Sequence, residues 1–349
     1  LDFPFKRYQI QKVWRGERPQ DGRFREFTQA DIDVVGLGEL PFHYEVDLPL
    51  VMAEALMSLP IPPVHVLVNN RKVVQGICEG LGVDDVESAL RGLDKLDKIG
   101  PEGVAEELAE AGLEQPQIEV LLRMAQIRTE DSEHLRSEVN ALGVSSETLT
   151  QGLDELCALV EQAGAAMPGV VLADLKIARG LDYYTGSVYE SEIVGHEDLG
   201  SICSGGRYDS LAKDGKRSYP GVGLSIGVSR LVSRILSQDM VTASRKVPTC
   251  VVIAVADEEQ RQHCNALATI LRKRGIPTDV APSAAKFGKQ IKFADKRGIP
   301  FVWFPGSEGE ADTVKDIRSG EQVQADIYNW QPPAEDLHPS VVPAQDSND

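Results

Sequence analysis

The spacing of hydrophobic and polar positions changes several times along the chain, and each change marks an element. Tyr8-Gln9-Ile10-Gln11-Lys12-Val13-Trp14 alternates with period two, and so does the stretch from Phe24 to Gly36. The polar run Arg15–Arg23 between them carries Pro19 and Gly22, so the two predict an antiparallel pair with a long arginine-rich tip. Leu48 to Leu59 predicts a helix, and His65 to Asn69 a short strand. From Arg71 to about Ala163 apolar residues recur at helical spacing (Val73, Val74, Ile77; Leu90, Leu93, Leu96; Leu121, Leu122, Met124). This predicts a helical insertion or satellite domain over about 71–163, with solvated acidic faces. Strands resume at Val170–Leu172 and Ser187–Glu190. Ser201–Asp209 predicts a strand entering a glycine turn, and Pro220–Leu231 a strand running into a helix. Met240–Lys246 reads as a linker. Beyond it strand, helix, strand, helix and strand alternate to Pro305, the pattern of a small α/β domain with a mainly parallel sheet. Thr313–Ile327 predicts a hairpin around Ser319-Gly320. Residues 334–349 hold Pro, Ser, Asp and Asn without a pattern and predict a disordered tail.

Composition narrows the class. The 349 residues suffice for two or three domains, with 42% apolar and 26% charged positions, the balance of a globular protein. No window approaches the ~20 apolar residues of a membrane span. No basic-then-apolar leader is visible. The five cysteines are scattered, with no C-x-x-C and no zinc spacing, so free thiols in the cytoplasm are the expectation. The formal charge of −18 argues against non-specific nucleic-acid affinity. It leaves room for a nucleic-acid partner held by a local basic face, because the first thirty residues are basic. The chain opens on Leu1-Asp2-Phe3-Pro4 without an initiating Met, which reads as a chain that lacks its front segment.

The candidate chemistry centres on Ile177-Ala178-Arg179-Gly180-Leu181-Asp182-Tyr183-Tyr184-Thr185-Gly186. Arginine offers a fixed fork of donors to a carboxylate or phosphate, and the flanking glycines allow close approach. The same stretch is also compatible with a strand corner whose Arg179–Asp182 pair is structural. Alternation places Arg25, Phe27, Gln29, Asp31 and Asp33 on one strand face, either a solvated face or a binding floor. Arg230, in the first turns of the helix after Gly227, would favour an anion. Lys286, Lys289, Lys292, Lys296 and Arg297 crowd one helix, as a phosphate-facing or a solvated surface. No G-x-G-x-x-G, P-loop motif or nucleophile–base pair is present. Arginines and an aromatic without a nucleophile suit phosphoryl or nucleotidyl transfer by positioning and charge neutralisation.

Several segments together resemble histidyl-tRNA synthetases, of the class II aminoacyl-tRNA synthetases. Arg15-Gly16-Glu17-Arg18-Pro19 through Gln29 resembles the second class motif. Arg179-Gly180-Leu181-Asp182-Tyr183-Tyr184 resembles the signature of the histidine enzyme. Ser204-Gly205-Gly206-Arg207-Tyr208-Asp209 and Gly221–Leu231 resemble a further family segment and the third class motif. The resemblance implies an α/β fold: an antiparallel-sheet class II catalytic domain over 1–240, with the helical insertion, and an anticodon-binding domain over 247–332. It implies that ATP activates L-histidine to histidyl-adenylate, with Mg2+ present, and that histidine then passes to the 3′ end of histidine tRNA. Arg15 would hold the α-phosphate, Glu17 the adenine amino group, and Phe27 would stack on adenine. Arg23 and Arg230 would hold the outer phosphates. Arg179 would touch the histidine carboxylate and the α-phosphate. Gln29 would orient the α-amino group, and Asp33 and Tyr184, with Tyr183 beside them, would take the imidazole. No protein-bound metal site is expected. Ser229 stands where many members have Glu. The first class motif and a Glu-Gly-Thr segment would precede Leu1, and the intact protein would be a homodimer. The alternatives are a catalytically silent paralogue of histidine biosynthesis, which would lack the anticodon-binding domain and the intact Arg-Gly-Leu-Asp-Tyr-Tyr, and a sensor of uncharged tRNA, which would be expected to lose the ATP-site arginines; all of these are present here.

Overall fold

The structure, a computed structural model, describes residues 1–16, 18, 24–178, 180, 183–307 and 309–344. It divides into two compact units, Leu1–Met240 and Val241 onward.

The first unit opens with β1 (Phe5–Trp14) and β2 (Glu26–Val35), paired antiparallel from Phe5↔Val35 to Trp14↔Glu26. Helix α1 (His43–Met57) starts earlier than the periodicity suggests and carries Pro49 inside it. Proline has no N–H, so the carbonyl four residues back loses its helical partner. That carbonyl, Glu45 O, instead accepts a hydrogen bond from the buried Tyr189 hydroxyl at 2.9 Å. A tertiary contact therefore satisfies the break. Strand β3 (Val64–Asn70) follows.

The helical run comprises α2 (Arg71–Gly80), α3 (Val86–Leu93), α4 (Leu96–Glu110), α5 (Gln115–Met124), the two-residue β4 (Arg128–Thr129), α6 (Ser132–Asn140) and α7 (Glu147–Ala166). It is an insertion in chain order but not a satellite. Val73 and Ile77 of α2 and Leu156, Leu159 and Val160 of α7 belong to the same apolar core as Val66 and Val68 of β3. Close approach makes this possible: a Cβ on Gly152 of α7 would lie 2.6 Å from the Val73 backbone nitrogen.

The chain returns through β5 (Val171–Asp174), β6 (Ser187–Ile193), β7 (Cys203–Tyr208), a ribbon of β8 (Lys213–Asp214) and β9 (Arg217–Ser218), and β10 (Gly221–Ile226), then α8 (Val228–Ser237). The eight-stranded sheet runs β1-β2-β10-β7-β6-β3-β5-β4, antiparallel except for β3 with β5. Gly205 and Gly206, expected to form a turn, lie inside β7. A Cβ on Gly205 would fall 2.2 Å from the Gly223 carbonyl, so these glycines thin the sheet rather than turn the chain.

The second unit has β11 (Val241–Ala243), β12 (Val251–Ile253), α9 (Arg261–Lys273), β13 (Thr278–Val280), α10 (Phe287–Arg297), β14 (Phe301–Phe304), β15 (Thr313–Asp316) and β16 (Gln322–Gln324). Its sheet is ordered β13-β12-β14-β15-β16, parallel in the first three strands and antiparallel in the last two. The tail expected to be disordered instead forms α11 (Ala334–Leu337) and β17 (Val341–Pro343), the latter paired with β11. Buried Arg245 donates to the Asp336 carbonyl at 2.6 Å and the Leu337 carbonyl at 3.1 Å, and Arg318 pairs with Asp336 at 2.7 Å. Composition alone does not reveal these long-range partners. The last five residues lie outside the described residues.

Candidate functional site

Register assembles the site. Gln29, Asp31 and Asp33 alternate on one face of β2, opposite Gln11, Gln9 and Arg7 of β1. On the other side of β2, Asp33 faces Gly223 and Asp31 faces Ser225; β7 then adds Gly206 and Ser204, and β6 adds Val188 and Glu190. The floor is therefore built of glycine and serine, with polar side chains along one edge. A Cβ on Gly223 would lie 2.1 Å from Asp33 Oδ1, and one on Gly206 would lie 2.8 Å from the Tyr184 ring. Only glycine lets the aspartate and the tyrosine lie this close to the backbone.

A pocket of about 270 Å³ opens over this floor. Among the residues predicted from sequence it gathers Arg15, Phe27, Gln29, Tyr183, Tyr184 and Arg230. The Arg15 guanidinium lies 5.1 Å over the Phe27 ring and donates to Gln29 Oε1 at 3.1 Å. Gln29 Nε2 donates to Asp31 Oδ1 at 2.6 Å. Arg230 Nη2 donates to the Leu199 carbonyl at 3.0 Å. Its neighbour Ser229 accepts from the Thr28 backbone N–H of β2 at 2.9 Å, which ties the start of α8 to the floor.

Tyr183 and Tyr184 pack with centroids 4.2 Å apart and rings tilted at 51°. Burial, and then the hydrogen bond with Tyr183, push the Tyr184 phenol well above its ordinary range, so it remains a protonated donor. Gly180 has φ +72°, and a Cβ there would lie 2.5 Å from the Tyr184 ring. Asp33 lies beyond the pocket's lining. Its Oδ2 pairs with Arg7 at 2.7 Å, and its Oδ1 accepts from the Tyr208 hydroxyl at 3.0 Å. Glu17, Arg23 and Arg179 lie outside the described residues.

Sequence reasoning missed the frame beneath the tyrosines. Glu45, buried on α1, accepts from Arg207 Nη1 at 2.7 Å and from the Ser187 backbone N–H at 3.1 Å. Arg207 also pairs with Asp209, whose other oxygen accepts from Thr185. Burial and then the charge of Glu45 act on the Arg207 guanidinium in opposite directions, and the acidic partners prevail. Arg207 and Asp209 belong to a segment singled out in the sequence, but Glu45 gave no local signal. Glu190, Ser204 and Ser225 also line the pocket and were not predicted.

An antiparallel sheet carrying arginines and an aromatic over a flat floor, in a chain with a separate small α/β unit, is the architecture of a class II aminoacyl-tRNA synthetase. The model of the family described as histidyl-tRNA synthetase matches residues 4–231, and that described as anticodon binding domain matches 249–329. The chain belongs to the histidyl-tRNA synthetase family. It is 57% identical to the histidine–tRNA ligase of Micrococcus luteus, an alignment covering 99% of this chain and 76% of that protein. It is 54% identical to that of Cutibacterium acnes, over 98% and 77% of the two chains. The crystal structure of histidyl-tRNA synthetase from Nostoc sp. PCC 7120 superposes with a TM-score of 0.82 at 34% identity, covering 93% of this chain and 76% of that one.

Proposed function

We propose that this chain is a histidine–tRNA ligase that activates L-histidine with ATP and delivers it to the 3′ end of histidine tRNA. The observation that carries the reading is the order of side chains along β2. Phe27, Gln29 and Asp33 share one face, and six residues of strand span about 20 Å, the scale of an aminoacyl-adenylate laid along the floor. In this reading adenine stacks on Phe27, Gln29 orients the α-amino group, and the imidazole lies between Asp33 and Tyr184, with Tyr183 beside it.

The histidine carboxylate is itself the nucleophile toward the α-phosphorus, so the protein supplies orientation and charge neutralisation rather than a covalent step. Arg15 and Arg179 take the α-phosphate, Arg179 also takes the carboxylate, and Arg23 and Arg230 take the outer phosphates. Glu17 accepts from the adenine amino group. An acceptor and a hydroxyl aimed at the two ring nitrogens reject amino acids that lack them, because the site groups would then stay unpaired. Mg2+ enters with the nucleotide. Phosphate oxygens would hold the ion, with Glu190, a carboxylate lining the pocket, able to join them.

The relatives named histidine–tRNA ligase, at more than half identity, favour this over a catalytically silent paralogue. The second unit, residues 241 onward, would bind the anticodon end of the tRNA. Five unpaired cysteines fit a cytoplasmic setting. A homodimer is carried by the family resemblance alone and is checked by sedimentation. The central test is histidine-dependent ATP–pyrophosphate exchange, followed by charging of histidine tRNA. Exchange with L-histidine, and none with phenylalanine or glutamine, is expected. Equal exchange with all three amino acids would overturn the assignment of the imidazole pocket.

A further inference from the structure

We propose that Arg7 is a positioning residue for histidine recognition, acting through Asp33. The proposal rests on the reading of Asp33 as the imidazole partner and adds what makes that carboxylate selective. Asp33 is held from two sides, by groups on different strands. Arg7, directly opposite in the β1–β2 register, takes Oδ2 at 2.7 Å. Tyr208 of β7 reaches across β10 to donate to Oδ1 at 3.0 Å. Beneath them the sheet has no side chains: the Tyr208 ring lies over Gly221, and Asp33 lies over Gly223.

The two partners do different things. Tyr208 is a neutral donor whose phenol is raised by burial and then by the charge of Asp33, so it fixes the rotation of the carboxylate without changing its charge. Arg7 supplies a counter-charge and fixes the second oxygen of a mostly buried carboxylate; the Asp33 side chain is 16% exposed and that of Arg7 40%. A carboxylate has about four lone-pair positions, so two donors leave acceptor capacity for a third partner. The result is a carboxylate held by donors on both oxygens, fixed in orientation and charge-balanced by Arg7. It accepts the ring N–H of histidine and offers nothing to a side-chain acceptor. Arg7 itself touches no substrate in this arrangement, and it hydrogen-bonds Gln9 Oε1 at 3.0 Å with its other terminal nitrogen.

The test measures dissociation constants of L-histidine and ATP separately, by calorimetry on the full chain, for Arg7→Met, Arg7→Lys, Tyr208→Phe, Asp33→Asn and the Arg7→Met/Asp33→Asn double variant. Arg7→Met should weaken histidine roughly tenfold, a partly exposed pair being discounted from the buried case, and leave ATP within about twofold. Arg7→Lys should recover most of the loss, and Tyr208→Phe should weaken histidine binding less than Arg7→Met does. In the double variant the Arg7 substitution should add nothing to Asp33→Asn, as expected if one residue acts through the other. Unchanged histidine binding in Arg7→Met, or a parallel loss for ATP, overturns the proposal. If Asp33→Asn leaves histidine binding intact, it is the underlying reading of Asp33 that fails. If Asp33→Asn weakens binding and Arg7→Met does not, the imidazole reading stands and the role of Arg7 is lost.

Discussion

At the scale of single residues, glycine decides what the pocket can hold. Gly180 combines a left-handed backbone with a side-chain position that the Tyr184 ring already fills. Alanine there costs about 1–2 kcal/mol for the backbone alone and must also displace Tyr184. We expect Gly180→Ala to retain the fold by circular dichroism and to weaken histidine binding at least about tenfold, with ATP binding little changed. Equal affinity for histidine would show that Tyr184 does not need its present position. Sequence reading selected Gly180, Tyr183 and Tyr184 as a group, because the string is distinctive. It could not see that Gly206 and Gly223, from two other strands, make the same allowance for Tyr184 and Asp33. It had no means of linking Arg7 to Asp33, since the pair exists only once the β1–β2 register is set. Glu45 was invisible for the same reason, its partners Ser187 and Arg207 lying more than 140 residues away.

At the scale of elements, periodicity marked where strands and helices fall, and tertiary partners adjusted their ends. Helix α1 begins before Pro49 because Tyr189 satisfies the carbonyl that proline leaves free. The tail is the sharpest case. Residues 334–343 show no periodic apolar pattern, yet they are held by charge-assisted bonds from Arg245 and Arg318 and by pairing of β17 with β11. Arg245 is buried and also donates to the Val247 and Pro248 carbonyls at 3.0 and 2.9 Å. Its replacement by alanine leaves several carbonyls unpaired and should destabilise the second unit by about 2–4 kcal/mol. Thermal unfolding followed through Trp303 and Trp330, which pack at 5.7 Å in that unit, reads the effect. An unchanged transition would mean that the tail is not anchored by Arg245.

At the scale of the whole molecule, two separate cores account for all five cysteines: Cys78, Cys157 and Cys203 in one, Cys250 and Cys264 in the other. Burial raises every one of these thiols, Cys78 to about 12 and Cys250 to about 11. The thiolate is the reactive form, so at pH 8 the native chain should react negligibly with a thiol reagent over minutes, and the unfolded chain should titrate all five cysteines. Rapid native reaction of any one would contradict its placement. The net charge of −18 sets a second constraint, since an RNA partner must find local basic surface. Lys286, Lys289, Lys292 and Lys296 are all exposed on or beside α10, and Arg297 stacks on Phe293 at 4.3 Å. The sequence by itself determined the class of fold, the family, and most of the residues proposed to handle histidine and ATP. These reside in short contiguous motifs and in the two-residue period of a strand, which are local properties. Only the tertiary structure decided which glycines form the floor, which partners hold Asp33, and that the helical run shares the core of the sheet. Those depend on register and on contacts between residues far apart in the chain, and no local pattern encodes either.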